Sequence, residues 1–438
     1  MKKFDSIGLA VPEFYLPRPG IDLSRWAVIA CDQFTSEQEY WDEVQKIVGD
    51  APSTYHITLP EVYLGKPQEA ERLASVNATM DRYLEQAILR PHEGFVYIER
   101  TVAGKTRRGL LVCLDLEKYD YNKNSTSLIR ATEGTILDRL PPRIKIREHA
   151  SLELPHILVL IDDPQDSVIG SFTRIKKDLH PLYDFDLMLG SGHLSGWLVD
   201  DASQMNNVAE NIARLGDITV YRSKYDLPDA RDVLLYAMGD GNHSLATAKA
   251  IWEKNKTTVG MDHPSRYALV ELENVHDAGL EFEPIHRVVF DIRSNLENAL
   301  RKYFGQSISF LPSIDMDEMK TIVNGSTTAN QRFGLITGGK LMVVQLHRPA
   351  LNLPVGNLQA FLDQFIKSGG AGSLDYVHGD EAVTNLGKLE GNAGLYLPGM
   401  HKSELFKTVI LDGALPRKTF SMGEAKEKRF YLEARKIR

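Results

Sequence analysis

Apolar and polar positions follow two different periods along this chain, and the period distinguishes helices from strands. Apolar residues recur at spacings of three and four over residues 67–89, which predicts a long amphipathic helix. Further helices are predicted at 36–49, 206–215, 245–252, 295–305 and 355–368. Short apolar runs predict strands at 26–30, 55–59, 95–102, 109–116, 156–161, 195–199, 231–238, 267–272 and 288–290, with a hairpin at 333–346 and an alternating basic strand at 428–437. Because both kinds of element alternate throughout, we expect an α+β protein with mixed sheets and a smaller additional subdomain.

The length of 438 residues is enough for two or three domains. We expect an N-terminal α/β region, a central region, a smaller α/β subdomain or insertion, and C-terminal strands that return to the core. These four segments are predicted at residues 1–130, 131–290, 291–395 and 396–438.

Composition and charge narrow the range of partners. The 51 Lys and Arg residues stand against 59 Asp and Glu, so the net charge of −8 argues against a nucleic-acid partner. No apolar stretch approaches the roughly 20 residues of a membrane helix, and two cysteines cannot form a disulfide framework. We therefore expect a cytoplasmic protein that acts on a small molecule, with no membrane partner. The sequence leaves the oligomeric state open.

The strongest local pattern is a glycine turn between a predicted strand and a predicted helix, at residues 239–244. Gly241 allows a positive φ or the close approach of a ligand, and the amides that open the helix favour an anion such as phosphate. Asp240 is suited to orient an imidazole or to act as a base, and His243 to act as an acid or base. A tight turn in which Asn242 or Ser244 caps the helix accounts for the same residues without any function.

Two weaker patterns contain candidate binding residues. Residues 130–135 combine Arg130, Glu133 and Thr135 beside a glycine, a set suited to hold a carboxylate or phosphate; a solvated, salt-bridged helix end is the alternative that the residues favour. His193 and the His286-Arg287 pair lie where a loop meets a predicted strand, although isolated histidines are usually structural.

Other histidine and cysteine patterns point away from catalysis. His56 and His156 fall inside predicted strands and are expected in the core. No Cys/His set has the spacing of a zinc site, so no metal centre is expected. Cys31 precedes Asp32, whose carboxylate raises the pKa of a neighbouring thiol, and a buried hydrophobic role is therefore expected for Cys31.

Several anchors occur together in a fixed order. They are the Asp32 turn, residues 55–61, residues 130–135, Asp162-Asp163, His193 with Trp197, residues 239–243, residues 284–287 and residues 415–420. In this combination they resemble the bacterial family called domain of unknown function 1015, over nearly the whole chain. That family typically has Asp-Gly-His-His-Arg where this chain has Asp240-Gly-Asn-His-Ser244, so the arginine of that motif is missing here.

The Asp-Gly-x-His element is also similar to the signature of ParB/sulfiredoxin-like proteins, which include free-serine kinases, nucleotide-dependent DNA clamps and sulfiredoxin. The resemblance implies a ParB/sulfiredoxin-like core and a nucleotide or phosphate site at Asp240 and His243. It further implies Asp32 and Glu133 as candidate bases for a substrate hydroxyl. The residues that would neutralise or contact phosphate are Gly241, Asn242, Arg130, Thr135, His193, His286, Arg287 and Lys418.

The functional expectation is therefore phosphoryl transfer to or from a small hydroxy amino acid, with serine or phosphoserine as the first candidate. ATP or ADP with magnesium is the expected cofactor. A non-catalytic sensor of a nucleotide or amino acid, and a ParB-like nucleic-acid-binding protein, remain as alternatives.

Overall fold

The structure is a computed structural model that describes residues 1–227 and 232–438. The chain forms two compact units. Unit 1 comprises Met1–Leu280 together with Gly423–Arg438, and unit 2 comprises Glu281–Met422. The four segments expected from the sequence stay a prediction.

The described strands, in chain order, are β1 (Lys3–Phe4), β2 (Leu9–Ala10), β3 (Glu13–Pro17), β4 (Val28–Ile29), β5 (Leu89–Glu93), β6 (Phe95–Val102), β7 (Lys105–Asp115), β8 (Tyr119–Asp120), β9 (Ile129–Arg130), β10 (Leu152–Glu153), β11 (Leu158–Ile161), β12 (His180–Asp186), β13 (His193–Val199), β14 (Tyr236–Asp240), β15 (Tyr267–Asn274), β16 (Phe282–Phe290), β17 (Ile308–Pro312), β18 (Asn330–Thr337), β19 (Lys340–His347), β20 (Ser373–His378), β21 (Ala393–Tyr396), β22 (Phe420–Met422), β23 (Phe430–Tyr431) and β24 (Arg435–Lys436).

The described α-helices are α1 (Leu23–Trp26), α2 (Gln38–Val48), α3 (Glu69–Glu85), α4 (Leu140–Arg147), α5 (Gly170–Ile175), α6 (Ala202–Leu215), α7 (Ile218–Tyr225), α8 (Asn242–Val259), α9 (Leu296–Phe304), α10 (Met316–Asn324), α11 (Pro354–Lys367), α12 (Asp380–Gly387) and α13 (Glu404–Asp412). Within the described residues, no helix combines the length and apolar character needed to cross a membrane.

Unit 1 is built on one large mixed sheet. Its strands lie in the order β12-β13-β6-β7-β15-β11-β14-β9-β8, with β2 added to β7 and β1 added to β2. The pairs β11–β15, β9–β14 and β8–β9 are parallel, and the other pairs in this sheet are antiparallel. The mixed sheet and its surrounding helices confirm the expected α+β class.

Helices cover both faces of this sheet, which explains why its central strands are nearly continuous apolar runs. Successive side chains of a strand point to opposite faces. In β6, Val96 and Ile98 join a core with α2 and α3, whereas Phe95 and Tyr97 join a second core with α6 and α8.

Unit 2 contains a seven-stranded sheet in the order β17-β19-β18-β21-β16-β20, with β22 also paired to β16. The described pairs in this sheet are antiparallel. Its own apolar core includes Val288, Met319 and Ile336. The predicted hairpin at 333–346 is confirmed as β18 and β19.

Some predicted elements are wrong. Residues 55–59 are not a strand: a short 3-10 helix spans Thr54–Ile57, since the Ser53 hydroxyl accepts a hydrogen bond from the Tyr55 amide and starts the turn. The predicted alternating basic strand at 428–437 is two short strands, β23 and β24, and its residues Arg429 and Arg435 are buried.

Both buried arginines of the C-terminal segment form ion pairs. Arg429 Nε lies 2.6 Å from a Glu271 carboxylate oxygen, and its Nη2 lies 2.9 Å from Glu433. Arg435 Nε lies 2.6 Å from Glu153. Buried charges of this kind require partners, because each ion has lost its hydration. The ion pairs therefore fix the C-terminal segment to the sheet of unit 1.

Replacing Arg429 with Met is expected to destabilise the protein by about 3–5 kcal/mol, because the change leaves Glu271 and Glu433 buried without their common cation. Denaturant unfolding monitored by circular dichroism measures this loss. The matched control is Arg174→Met at an exposed position of α5, which should shift the midpoint little. Equal stability of the two variants would contradict a structural role for the buried pairs.

Candidate functional site

The turn at residue 241 joins β14 directly to α8. Gly241 has a φ of +80°, in the left-handed region, and an added Cβ would lie 3.1 Å from the Ile157 Cα. Glycine is required there both by backbone conformation and by close packing. The predicted strand, turn and helix are confirmed in outline. The strand β14 begins at Tyr236, later than predicted. Residue 231 of the predicted strand lies outside the described residues.

Asp240 is held as a carboxylate at this turn. Its Oδ1 accepts a hydrogen bond of 2.8 Å from the Gly241 amide, and its Oδ2 lies 2.9 Å from Lys428 Nζ. Burial alone would raise the pKa of Asp240, but the Lys428 ammonium, the Gly241 amide and nearby His156 together hold this pKa below its usual value. Asp240 is therefore an acceptor at neutral pH, with a cation already beside it.

His156 connects the start of α8 to the C-terminal segment. Its Nε2 lies 2.7 Å from Ser244 Oγ and 3.9 Å from Asp32 Oδ2, and its Nδ1 lies 2.9 Å from the Tyr431 hydroxyl. The expectation that His156 lies inside a strand is wrong, because β11 begins only at Leu158. The side chain is 11% exposed and has polar partners on both ring nitrogens. The imidazole thus brings together Asp32 and the first turn of α8.

Cys31 completes this group on the side of β4. The Tyr431 hydroxyl donates to Cys31 Sγ at 3.1 Å. Burial, followed by the charges of Asp32 and Glu61, raises the pKa of the Cys31 thiol far above its usual value. Cys31 is therefore a protonated thiol at neutral pH. It is half-buried and accepts a hydrogen bond, unlike the buried hydrophobic residue expected from the sequence.

A cavity of about 130 Å³ lies against this group, and we call it the His156 cavity. Its polar wall is formed by Cys31, His156, Ser244 and Tyr431, together with the ion pair between Arg143 and Glu61. Its apolar wall includes Ile57, Leu59, Val76, Met80 and Leu269. The cavity is smaller than the roughly 300–1,000 Å³ of typical ligand pockets, so it suits a molecule of a few non-hydrogen atoms.

The loop after β9 contacts the start of α8. The Ile136 amide donates to His243 Nε2 at 3.3 Å, so this nitrogen of His243 is an acceptor. Glu133 and Thr135 belong to the same loop. Among the described residues, Thr135 Oγ1 and Asn242 Oδ1 are buried without a hydrogen-bond partner.

The other predicted residues of unit 1, Arg130 and His193, form hydrogen bonds with other parts of the chain. Arg130 is buried, and its guanidinium donates to the carbonyl oxygens of Ser127 and Asp232, each at 2.8 Å. His193 lies on β13, five strands away from β14, with its ring nitrogens 2.7 Å from Asp184 and 2.7 Å from Asp186. These two carboxylates raise the pKa of His193.

His286, Arg287 and Lys418 belong to unit 2. Burial lowers the pKa of His286 to about 4, and its neutral Nδ1 accepts a hydrogen bond of 3.1 Å from the Leu397 amide. Arg287 is fully buried and donates to the Lys418 carbonyl oxygen at 2.9 Å. These contacts support the fold of unit 2. The implied phosphate roles of the three residues stay predictions.

Magnesium would find few protein ligands here. In the part of the chain that the structure describes, no three or more His, Cys, Asp or Glu side chains cluster as a metal site. At the turn before α8 the carboxylate of Asp240 already pairs with Lys428. A magnesium ion that arrives with a nucleotide would therefore depend mainly on phosphate oxygens and on Asp32.

The chain belongs to the family described as a protein of unknown function, DUF1015. The family model described as "Protein of unknown function (DUF1015)" matches residues 15–365, most of the chain, which confirms the resemblance drawn from the sequence. No curated protein matches the chain significantly.

Several solved structures are similar at low TM-scores. A conserved hypothetical protein from Pyrococcus furiosus has a TM-score of 0.34 and 12% identity, over 74% of this chain and 90% of its own. A free serine kinase in complex with AMP has a TM-score of 0.37 and 11% identity, over 75% and 91%. SbnI with a C-terminal truncation, from Staphylococcus aureus, has a TM-score of 0.34 and 11% identity, over 72% and 82%. At this level the similarity does not extend to function.

Replacing Gly241 with Ala is expected to lower stability by more than the about 1–2 kcal/mol that a left-handed alanine costs, because the new methyl also meets Ile157. The matched control is Gly104→Ala in the β6–β7 turn, where φ is +78° and an added Cβ meets no atom within 4 Å. Denaturant unfolding compares the two variants. Equal losses of stability in the two variants would show that the contact of the new methyl group with Ile157 adds nothing to the cost of the left-handed conformation.

Replacing Lys428 with Met is expected to raise the pKa of Asp240, because burial would then act without its opposing cation. A pH titration of the carboxyl ¹³C signal measures the change. The depressed pKa also means that Asp240 stabilises the native protein at neutral pH and that this contribution is lost as pH falls through the folded-state pKa. An unchanged titration in the variant would show that Lys428 does not set the charge of Asp240.

Proposed function

We propose that unit 1 catalyses phosphoryl transfer to or from the hydroxyl group of a small amino acid, with serine or phosphoserine as the first candidate. The observation that carries the proposal is the convergence of Asp32, His156 and Asp240 at the start of α8. This 18-residue helix begins after a glycine that offers no capping side chain. The start of such a helix is suited to hold an anion.

Each side chain has a role that fits its surroundings. Asp32 is 26% exposed and lies within 3.9 Å of His156, so it is available to accept the proton of a substrate hydroxyl. Lys428 supplies positive charge beside the helix start, and Ser244 with His156 lines the adjoining cavity. Phosphoryl transfer needs such positioned charges and one base more than it needs covalent help from the protein.

The size of the His156 cavity supports a small substrate. The cavity volume of 130 Å³ would hold an amino acid beside the Arg143–Glu61 ion pair. The two charges of this pair match the carboxylate and the ammonium group of an amino acid. A nucleotide would have to lie outside this cavity, toward the start of α8. ATP or ADP is the phosphoryl donor or acceptor that we propose for that position.

A second candidate is a binding site without turnover. The ion pair with Lys428 and the bond from Gly241 occupy both oxygens of Asp240, the carboxylate to which the family resemblance assigns a catalytic position. Asn242 and Ser244 also depart from the family motif. A sensor would show saturable binding of serine or nucleotide with no product.

The test is a thermal-shift screen with serine, phosphoserine, ATP and ADP, with and without magnesium, followed by a turnover assay on the ligands that raise the melting temperature. Asp32→Asn is expected to lower the rate by about 10²–10⁴-fold, because it removes the base while the fold remains. Glu210→Gln, at a side chain 68% exposed on α6, is the matched control and should keep the full rate.

Full activity in Asp32→Asn would exclude Asp32 as the base. Binding without any product in the wild-type protein would favour the sensor. If none of the four ligands shifts the melting temperature, the proposed site is wrong.

A further inference from the structure

A second cavity in unit 1 has a different chemical character. It has a volume of about 370 Å³ and lies between the segment 16–23, strand β5 and the start of β12. It shares no lining residue with the His156 cavity. Its volume falls within the about 300–1,000 Å³ of ligand sites. We call it the Arg18 cavity.

The ionisable groups that line the Arg18 cavity are mostly basic. Two arginines and two histidines, Arg18, Arg90, His92 and His180, line it, and no Asp or Glu does. The chain as a whole has eight more acidic than basic residues, so this lining departs from its average composition. A concave site lined by one sign of charge concentrates the electrostatic potential and attracts ligands of the opposite sign.

The backbone pairing sets these groups side by side. Arg90 and His92 are two residues apart on β5 and therefore point to the same face. They pair with Leu16 and Phe14 of β3, and the His92 ring stacks on Phe14 with 5.4 Å between ring centroids. Burial and the neighbouring His180 lower the pKa of His92. The ring thus offers a neutral N–H donor beside the arginines.

The two guanidinium groups are available for a ligand. In residues 1–227 and 232–438, no hydrogen bond or ion pair engages the side chain of Arg18 or Arg90. Both side chains are exposed at the mouth of the cavity, whereas the buried Arg107 and Arg429 of the same unit each pair with a buried carboxylate. An unpaired guanidinium presents two parallel N–H donors, a geometry that matches phosphate oxygens.

We propose that the Arg18 cavity binds a phosphomonoester, separately from the site at the start of α8. Arg18 and Arg90 hold the phosphate group. The organic part of the ligand lies on the apolar wall, which includes Leu16, Ile21 and Leu182. This proposal does not rest on the catalytic role proposed for the His156 cavity.

The test is isothermal titration of the full-length protein with phenyl phosphate and, separately, with inorganic phosphate, at constant ionic strength. Saturable binding of phenyl phosphate is expected, and inorganic phosphate should bind more weakly because it makes no contact with the apolar wall. Arg18→Ala/Arg90→Ala should weaken phenyl phosphate binding at least tenfold. Arg18→Lys/Arg90→Lys, which keeps the charge but loses the paired donors, should give an intermediate affinity.

Two control variants establish whether the ligand binds in the Arg18 cavity. Arg174→Ala/Arg293→Ala removes the same charge from two exposed positions and should change the affinity less than twofold. Lys428→Met perturbs the start of α8 and should leave the affinity for phenyl phosphate unchanged. If Lys428→Met abolishes binding while the Arg18/Arg90 variant retains it, the ligand sits at α8 and the proposal is wrong. Equal affinity for the two probes would overturn the assignment of a phosphomonoester, and so would the absence of saturable binding.

Discussion

The buried ion pairs of Arg429 are the interaction on which the candidate site depends. Arg429 joins Glu271 on β15 to Glu433 in its own segment. This contact holds the C-terminal segment against the sheet, while β23 and β24 of that segment pair with β4 and β10. Neighbouring positions in that segment then place Lys428 beside Asp240 and Tyr431 beside His156. The fold and the site therefore share one electrostatic anchor.

Burying charged side chains in the same region of unit 1 costs free energy. Glu273 lies on β15 two residues from Glu271, and burial raises its pKa, a shift that Arg107, 2.7 Å away, opposes. Two acids so close together in the interior require the nearby arginines as countercharges. The interior of unit 1 is thus a balanced set of charges as well as an apolar core, and its apolar parts alone do not determine the path of the chain.

Much of the fold could be predicted from the sequence, because the spacing of apolar residues within a helix or a strand is a local property of the chain. The long helix α3, strand β6 and the hairpin of β18 and β19 follow from their own patterns. The glycine turn after Asp240 was predictable for the same reason. The pattern at 428–437 failed because alternating basic residues usually face water, whereas here buried glutamates accept Arg429 and Arg435.

The rest of the candidate site could not be read from local patterns. Tyr431 and His156 are 275 positions apart, and no spacing rule connects them. His156 itself looked like a core residue because apolar residues follow it. Adjacent residues of the C-terminal segment also serve different cavities: Tyr431 lines the His156 cavity, and Leu432 lines the Arg18 cavity. Since successive side chains of an extended chain point in opposite directions, one short segment forms part of the wall of both cavities. The ion pairs of Arg429 and Arg435 and the pairing of β23 with β4 hold that segment in place, so the same contacts contribute to the shape of two separate sites.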